Sequence, residues 1–226
     1  MKYGAFFVAI AMLLACSQVV YAEANDGDLN DKGLYRGSGG PGGFLGQLST
    51  AESVPSGSID LGAYVGFYDD ANALFGQFRM GAMAHGEWEV KAGVLDTEGG
   101  SDPHVVVGTA FKYHFYGRQE NSSPDMAVNA IIEYYGLDSD GSSWIFGTGF
   151  IASYPFRLSN NSDLTPYGRL SFRVERLSVG DYRDSDFDIG LNLGAQYAPT
   201  RRFQIYTELQ LDDQYGIIGG INFAVY

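Results

Sequence analysis

From Ser58 onward the chain repeats one pattern, short stretches in which apolar residues alternate with polar or small ones, separated by breaks rich in Gly, Asp and Ser. A period of two sends successive side chains to opposite faces, so each stretch is predicted to be a β-strand with one greasy face. Ile59, Leu61, Ala63, Val65 and Phe67 share one face of the first strand, against Asp60, Gly62, Tyr64 and Gly66. A less regular second strand runs from about Leu74 to Ala84. The third sets Trp88, Val90, Ala92 and Val94 against Glu89 and Lys91, and the fourth sets Val105, Val107, Thr109, Phe111, Tyr113 and Phe115 against Lys112 and His114. In the fifth, Met126, Val128, Ala130, Ile132 and Tyr134 oppose Asn129 and Glu133; in the sixth, Trp144, Phe146, Thr148, Phe150, Ala152 and Tyr154 oppose mostly small residues. The seventh places Gly168, Leu170, Phe172 and Val174 against Arg169, Arg173 and Glu175. The eighth places Phe187, Ile189, Leu191, Leu193, Ala195 and Tyr197 against Asp188, Asn192 and Gln196, and the ninth Phe203, Ile205, Thr207, Leu209 and Leu211 against Gln204, Tyr206, Glu208 and Gln210. The stretch from Tyr215 to Tyr226, with Ile217, Gly219, Ile221, Phe223 and Val225 on one face, is the tenth.

A last strand that ends the chain is expected to seal against the first in a closed barrel, because an unpaired edge is a liability. The expected fold is therefore all-β, a closed antiparallel barrel of ten strands, with eight or twelve as the alternatives. Volume decides which face is inside. Ten strands each offering several bulky apolar side chains would overfill an interior that an eight-stranded barrel already nearly fills, so the apolar face points outward, into lipid. Strands of roughly 9–11 tilted residues cross a bilayer, and these are long enough. Phe67, Trp88, Phe115, Tyr134, Trp144, Tyr154, Phe187, Tyr197 and Phe203 fall at strand ends, where aromatic girdles meet the membrane interface, while Ala63, Ala92, Thr109, Ala130, Thr148 and Leu191 fall nearer the middle. Composition agrees: there are 31 Gly, 16 Tyr and 15 Phe, and charged residues are only 18%.

The N-terminal part divides differently. Met1-Lys2, the apolar stretch from Ala5 to Ala15 and Val20-Tyr21-Ala22 read as a cleaved signal peptide over residues 1–22. The competing reading is a lipoprotein box at Leu13-Leu14-Ala15-Cys16, which would acylate the single cysteine. Residues 23–57 have no sustained period and contain Arg36-Gly-Ser-Gly-Gly-Pro-Gly-Gly43, so they are expected to be a flexible periplasmic linker. A plug inside the barrel is the alternative, and only Phe44, Leu45 and Leu48 offer it anything to pack. Residues 58–226 form the barrel. No later stretch approaches the run of about 18 apolar residues that a membrane helix needs.

The signal peptide, the hairpin from Gly190 to Glu208 with its compact turn Ala198-Pro-Thr-Arg-Arg202, and the ending Gly220-Ile-Asn-Phe-Ala-Val-Tyr226 together carry a resemblance. From about Ser58 to Tyr226 the chain resembles small bacterial outer-membrane β-barrel proteins. The marks identify a class and no subfamily. Tyr226 departs from the pattern, since such barrels more often end in Phe. The resemblance implies export to the bacterial outer membrane and contact with its lipid and lipopolysaccharide. It also implies insertion by the barrel assembly machinery, with Ile221, Phe223, Val225 and Tyr226 as the assembly signal.

With both termini in the periplasm the first connection is extracellular and the sides alternate. The outer side then carries Asp69, Asp70, Asp96, Glu98, Asp102, Asp138, Asp140, Asp181, Asp184, Asp186, Asp212 and Asp213, while Arg118, Arg157, Arg201 and Arg202 fall in periplasmic turns. Such a rim would gather cations, or bind divalent cations that bridge lipopolysaccharide phosphates; the plainer reading is that acids solvate exposed loops. A net charge of −13 argues against a nucleic-acid partner.

Facing inward are Asp60, Glu89, Glu133, Glu175, Asp188 and Glu208 beside Arg79, Lys91, Lys112, His114, Arg169 and Arg173. Their signs nearly balance, and buried charges persist only when paired, so pairing across the interior is expected. The expected function is an integral outer-membrane barrel with a structural or surface-interaction role and a closed or narrow, cation-favouring lumen. A small-solute pore is the alternative, for which strand six, with Gly147 and Gly149 inward, is the most open wall. A third reading, a hydrolase at the rim, would use Ser101, Asp102 and His104, but neighbours in sequence are not a catalytic triad, and no enzyme is expected. His85 is placed in a periplasmic turn, and no cofactor or metal is called for by the spacing of His, Cys and carboxylates.

Overall fold

The computed structural model describes residues 45–68, 71–97, 103–117, 123–136, 141–159, 161–211 and 215–225. Its strands are β1 (Ile59–Tyr68), β2 (Ala71–Met83), β3 (Gly86–Thr97), β4 (His104–Tyr116), β5 (Asp125–Gly136), β6 (Ser142–Ser153), β7 (Phe156–Arg157), β8 (Asp163–Val179), β9 (Tyr182–Thr200), β10 (Phe203–Leu211) and β11 (Gly216–Val225). Each of the ten alternating stretches is one of them. The eleventh, β7, is a two-residue stub that pairs Phe156 with Leu164 and Arg157 with Asp163 beside the turn into β8.

Sequence neighbours pair antiparallel around the ring, β6 pairs directly with β8, and β11 pairs with β1 from Ile59↔Val225 to Tyr68↔Gly216. Closure leaves no edge among the ten staves, which is what lets a sheet sit in hydrocarbon. Both termini of the barrel domain lie at one end.

The apolar face points outward as expected. Phe67 is 60% exposed, Ile189 59% and Leu74 58%, whereas Tyr64, Arg79, Glu208 and Asn222 on the opposite face are buried. The second strand looked irregular because Gly76 interrupts its outer face between Leu74 and Phe78 while Phe75 points inward; in space it alternates without a break from Ala71 to Gly81. Aromatic pairs cluster on the outer surface, Trp88 with Phe111 (5.4 Å), Tyr134 with Trp144 (4.9 Å) and Phe203 with Phe223 (5.0 Å).

Short turns are held locally. Between β9 and β10, Thr200 Oγ1 accepts from the amides of Arg202 (3.3 Å) and Phe203 (3.1 Å), so the compact turn expected there is capped by its own threonine. His85, between β2 and β3, sits at φ 69°, and its carbonyl accepts from the amide of His114 (2.8 Å).

The interior has two tiers. Toward the end away from the termini, Tyr68, Ala71, Ala73, Phe75, Leu95, Val106, Tyr135 and Ile145 form one apolar cluster with Leu45, Leu48 and Ile218. Toward the end that carries the termini, Asp60, Arg79, Glu87, Glu89, Lys112 and Asn129 line the wall. One expectation is corrected here. Residues 45–54 are not a free periplasmic linker; Leu45, Leu48, Ser49 and Ala51 are fully buried inside the barrel. The apolar surface this segment offers is small, as the sequence suggested, but its backbone groups find charged partners on the wall. Residues 1–44, including the signal peptide, Cys16, the Gly-rich run and Phe44, lie outside the described residues.

Candidate functional site: the plugged lumen

The site is built by inward positions of the staves closing on residues 45–54. Glu208, in the middle of β10, receives the amides of Gln47 on Oε1 (2.7 Å) and Leu48 on Oε2 (2.8 Å). Tyr167 Oη (2.6 Å, β8) and Asn192 Nδ2 (2.9 Å, β9) donate to the same carboxylate. A buried carboxylate is costly unless its lone pairs are filled, and here four donors fill them. Gly46 at φ 58° and Leu48 at φ 47° turn the chain so that consecutive N–H groups converge on Glu208, the concave arrangement that binds anions.

Two lysines hold carbonyls. Lys91 on β3 donates to the carbonyls of Leu45 (2.8 Å) and Gly46 (2.7 Å) and pairs with Glu89 (2.9 Å) on its own strand. Lys112 on β4 donates to the carbonyls of Thr50 (2.7 Å) and Glu52 (2.9 Å) and to Ser49 Oγ. Lys112 also pairs with Glu87 of β3 (2.9 Å), whose other oxygen accepts from the amide of Val54 (2.7 Å). Ser153 Oγ accepts from the amide of Ala51 (3.1 Å), and Asn129 Nδ2 donates to Gln47 Oε1 (2.8 Å).

All twelve residues expected in the lumen are on the inner face. Asp60, Arg79, Glu89, Lys91, Lys112, Glu133, Arg169, Arg173 and Glu208 are buried; His114, Glu175 and Asp188 are half-buried. For Asp60, Arg79, Glu89, Lys91 and Lys112 the pairing is not across the interior, which corrects the expectation. The ion pairs run along the wall, between adjacent strands for Arg79–Asp60 (2.8 Å) and Lys112–Glu87, and within β3 for Lys91–Glu89. His114 Nε2 lies 3.3 Å from Asp125 Oδ1 on the next strand, and its ring meets that of His85 (5.7 Å). Residues 45–54 bridge separate parts of the wall, and Arg79 of β2 also reaches Tyr206 of β10 (3.3 Å). Glu133 accepts from Tyr135 Oη (2.7 Å) and Glu175 from Ser143 Oγ (2.7 Å).

The wall expected to be most open is filled as well. A Cβ on Gly147 would lie 3.1 Å from Arg173 Cγ, and one on Gly149 2.7 Å from Arg169 Nε, so the arginine stems lie across both glycines. Nor is the inner face of β6 all small, since Ile145 and Ile151 are fully buried on it.

Sequence reading missed Glu87, which stands next to a turn and outside the alternation assigned to β3. It placed Tyr64 and Tyr206 on the inner face without giving them a role, and did not place Tyr167. Tyr64, Tyr167 and Tyr206 are buried in the lumen; Tyr64 bonds Gln77 (2.8 Å) and Asn222, and the Tyr206 ring lies under the Arg79 guanidinium (5.7 Å). Repeated Tyr opposite the greasy face was the available signal.

At the outer rim, Asp96, Asp181, Asp184 and Asp186 are exposed. Asp184 Oδ1 and Asp186 Oδ1 accept from the amides of Ser185 and Phe187 (2.9 Å each), capping backbone donors on β9. Asp69, Asp70, Glu98, Asp102, Asp138, Asp140, Asp212 and Asp213 lie outside the described residues, as do Ser101 and Tyr226. His104 stands at the outer end of β4. Ile221, Phe223 and Val225 are lipid-facing on β11.

No family model and no curated protein matches the chain. Solved structures do match. The COG4313 outer membrane channel from Pseudomonas putida F1 is 8% identical with a TM-score of 0.48, covering 80% of this chain and 100% of that one. The N-terminal β-barrel domain of Pseudomonas aeruginosa OprF is 11% identical with a TM-score of 0.36, covering 75% and 98%. Ail, the attachment invasion locus protein of Yersinia pestis, is 13% identical with a TM-score of 0.36, covering 75% and 99%. At these identities the likeness is one of fold, and the neighbours are bacterial outer-membrane barrels.

Proposed function

We propose that this chain is an integral outer-membrane barrel held shut at rest by its own residues 45–54, and that displacing them opens a narrow, cation-favouring path for small solutes. One observation carries the reading: Glu208, Lys91, Lys112 and Glu87, the charges best placed to line a water path, are all engaged by that segment. Lys112 and Glu87 also pair with each other (2.9 Å), so the segment adds its bonds to a pair the wall already makes. Planar-bilayer recordings test the reading. The intact chain should be silent and a chain lacking residues 45–54 should conduct; steady conductance from the intact chain, equal to that of the deletion, would sink it.

A surface role is a second reading, favoured by the β8–β9 hairpin. Among the described residues, β10 pairs with β9 no further than Leu191, and residues 182–190 of β9 pair with β8. The acids on this hairpin, with the rest of the expected rim, suit divalent cations that bridge lipopolysaccharide phosphates. Shortening the hairpin should then weaken calcium-dependent association with lipopolysaccharide while leaving the barrel assembled. Insertion by the barrel assembly machinery, with β11 as the strand it reads, belongs to the same proposal. The hydrolase alternative retains His104 alone among the described residues and has no geometric support.

A further inference from the structure

We infer that the lumen is a peptide-binding site, a receptor for a single polypeptide segment read mainly through its main chain, in which residues 45–54 are a tethered ligand. The inference rests on the proposed displaceable plug and deepens it by assigning the chemistry of the occupant. The wall offers partners in the order a peptide backbone needs them. Lys91 takes the carbonyls of Leu45 and Gly46, and Glu208 takes the amides of Gln47 and Leu48. Lys112 then takes the carbonyls of Thr50 and Glu52, while Ser153 and Glu87 take the amides of Ala51 and Val54. These groups belong to any peptide. Side chains are read at Gln47 by Asn129, at Ser49 by Lys112 and Glu87, at Ser53 by the His85 carbonyl, at Leu45 and Leu48 in the apolar tier, and at Ala51 against Ala127 and Ile151.

One position is demanding. Gly46 is in the left-handed region at φ 58°, and a Cβ there would lie 2.6 Å from Ile218 Cδ1 and 2.8 Å from Glu208 Oε1. Replacing it disturbs the concave pair of amides that grips Glu208 and changes no residue of the staves. The ligand class is therefore a segment rich in small residues, with glycine just before the two amides. A β-branched residue at positive φ is a conformational outlier, so Gly46→Val in the full-length chain should unseat the segment and vacate the site.

The test uses refolded full-length Gly46→Val, the wild type, and a labelled decapeptide of the sequence 45–54, read by fluorescence anisotropy and by block of conductance. A tether holds its segment at an effective concentration on the order of millimolar, so micromolar peptide should not bind wild type. It should bind Gly46→Val and close it. Adding Glu208→Gln to that receptor should weaken binding by about tenfold or more, since bonds to a charged acceptor are the stronger ones. A decapeptide with glycine moved from its second place should bind far less. If Gly46→Val conducts but the peptide neither binds nor blocks, the peptide site is refuted and the displaceable plug stands. Equal binding by the peptide with displaced glycine also refutes it. If Gly46→Val stays closed, the chain lacking residues 45–54 becomes the receptor in both assays. There a silent bilayer refutes the pore reading and absent anisotropy change refutes the peptide site, each independently of the other.

Discussion

At the scale of single residues, glycine does more in this barrel than make turns. Ideal Cβ positions on Gly194, Gly216 and Gly220 would lie 2.3 Å from Tyr167 Cζ, 2.3 Å from Tyr68 Cδ1 and 2.2 Å from Tyr64 Cδ1, so these three tyrosines lie over the bare backbone of a neighbouring strand. The glycine content, which a sequence reading assigns to turns, is partly the floor on which the tyrosine layer rests. Gly194→Ala should push Tyr167 off its place and weaken its 2.6 Å bond to Glu208. Overpacking of this kind costs about 1–3 kcal/mol, to be read as a lower urea midpoint for unfolding from lipid vesicles. Gly168→Ala is the control. Its Cβ would meet Leu193 Cδ2 at an ordinary 3.5 Å, so its effect should stay within about 0.5 kcal/mol; equal losses in both variants would argue against packing as the cause.

At the scale of elements, legibility followed chemistry. The ten staves could be read because their two faces differ in polarity and a one-residue slip would exchange the faces. β7 could not, because Phe156–Arg157 is too short to show a period. The plug could not be read either. Residues 45–54 are held by amides and carbonyls, which every sequence has, and the signal lay in the charges opposite them on β3, β4 and β10. Two outcomes belong to this scale. Leu193 faces lipid on β9 opposite Leu209, and a cation at a lipid-facing midpoint costs about 2–4 kcal/mol, so Leu193→Arg should lower the folded, heat-modifiable fraction on gels. Removing residues 221–226 takes away the partners of β1 from Ile59 to Ala63. An unpaired edge cannot persist in hydrocarbon, so the truncated chain should be exported yet fail to insert, and normal insertion would undo the closure argument.

At the scale of the molecule, the charge is divided. The interior sets Arg79, Lys91, Lys112, Arg169 and Arg173 among its acids, while the net charge of −13 belongs to a chain whose expected outer connections are rich in Asp. Among the described residues, Asp181, Asp184 and Asp186 stand exposed on the β8–β9 hairpin. Once residues 45–54 are displaced, these acids face the entrance of the path and raise the local concentration of cations there. Converting the three to Asn in a plug-displaced chain should therefore move the reversal potential in a salt gradient toward zero without changing how much protein inserts. The shift should be largest at low salt, because the Debye length falls to about 3 Å near 1 M and the acids then act only on ions that touch them. A plug-displaced chain selective for anions would refute steering by the rim. A selectivity unchanged by the three substitutions at low salt would instead place its origin in the wall charges, Glu208 and Glu87 first, which the departing segment leaves without their amide donors.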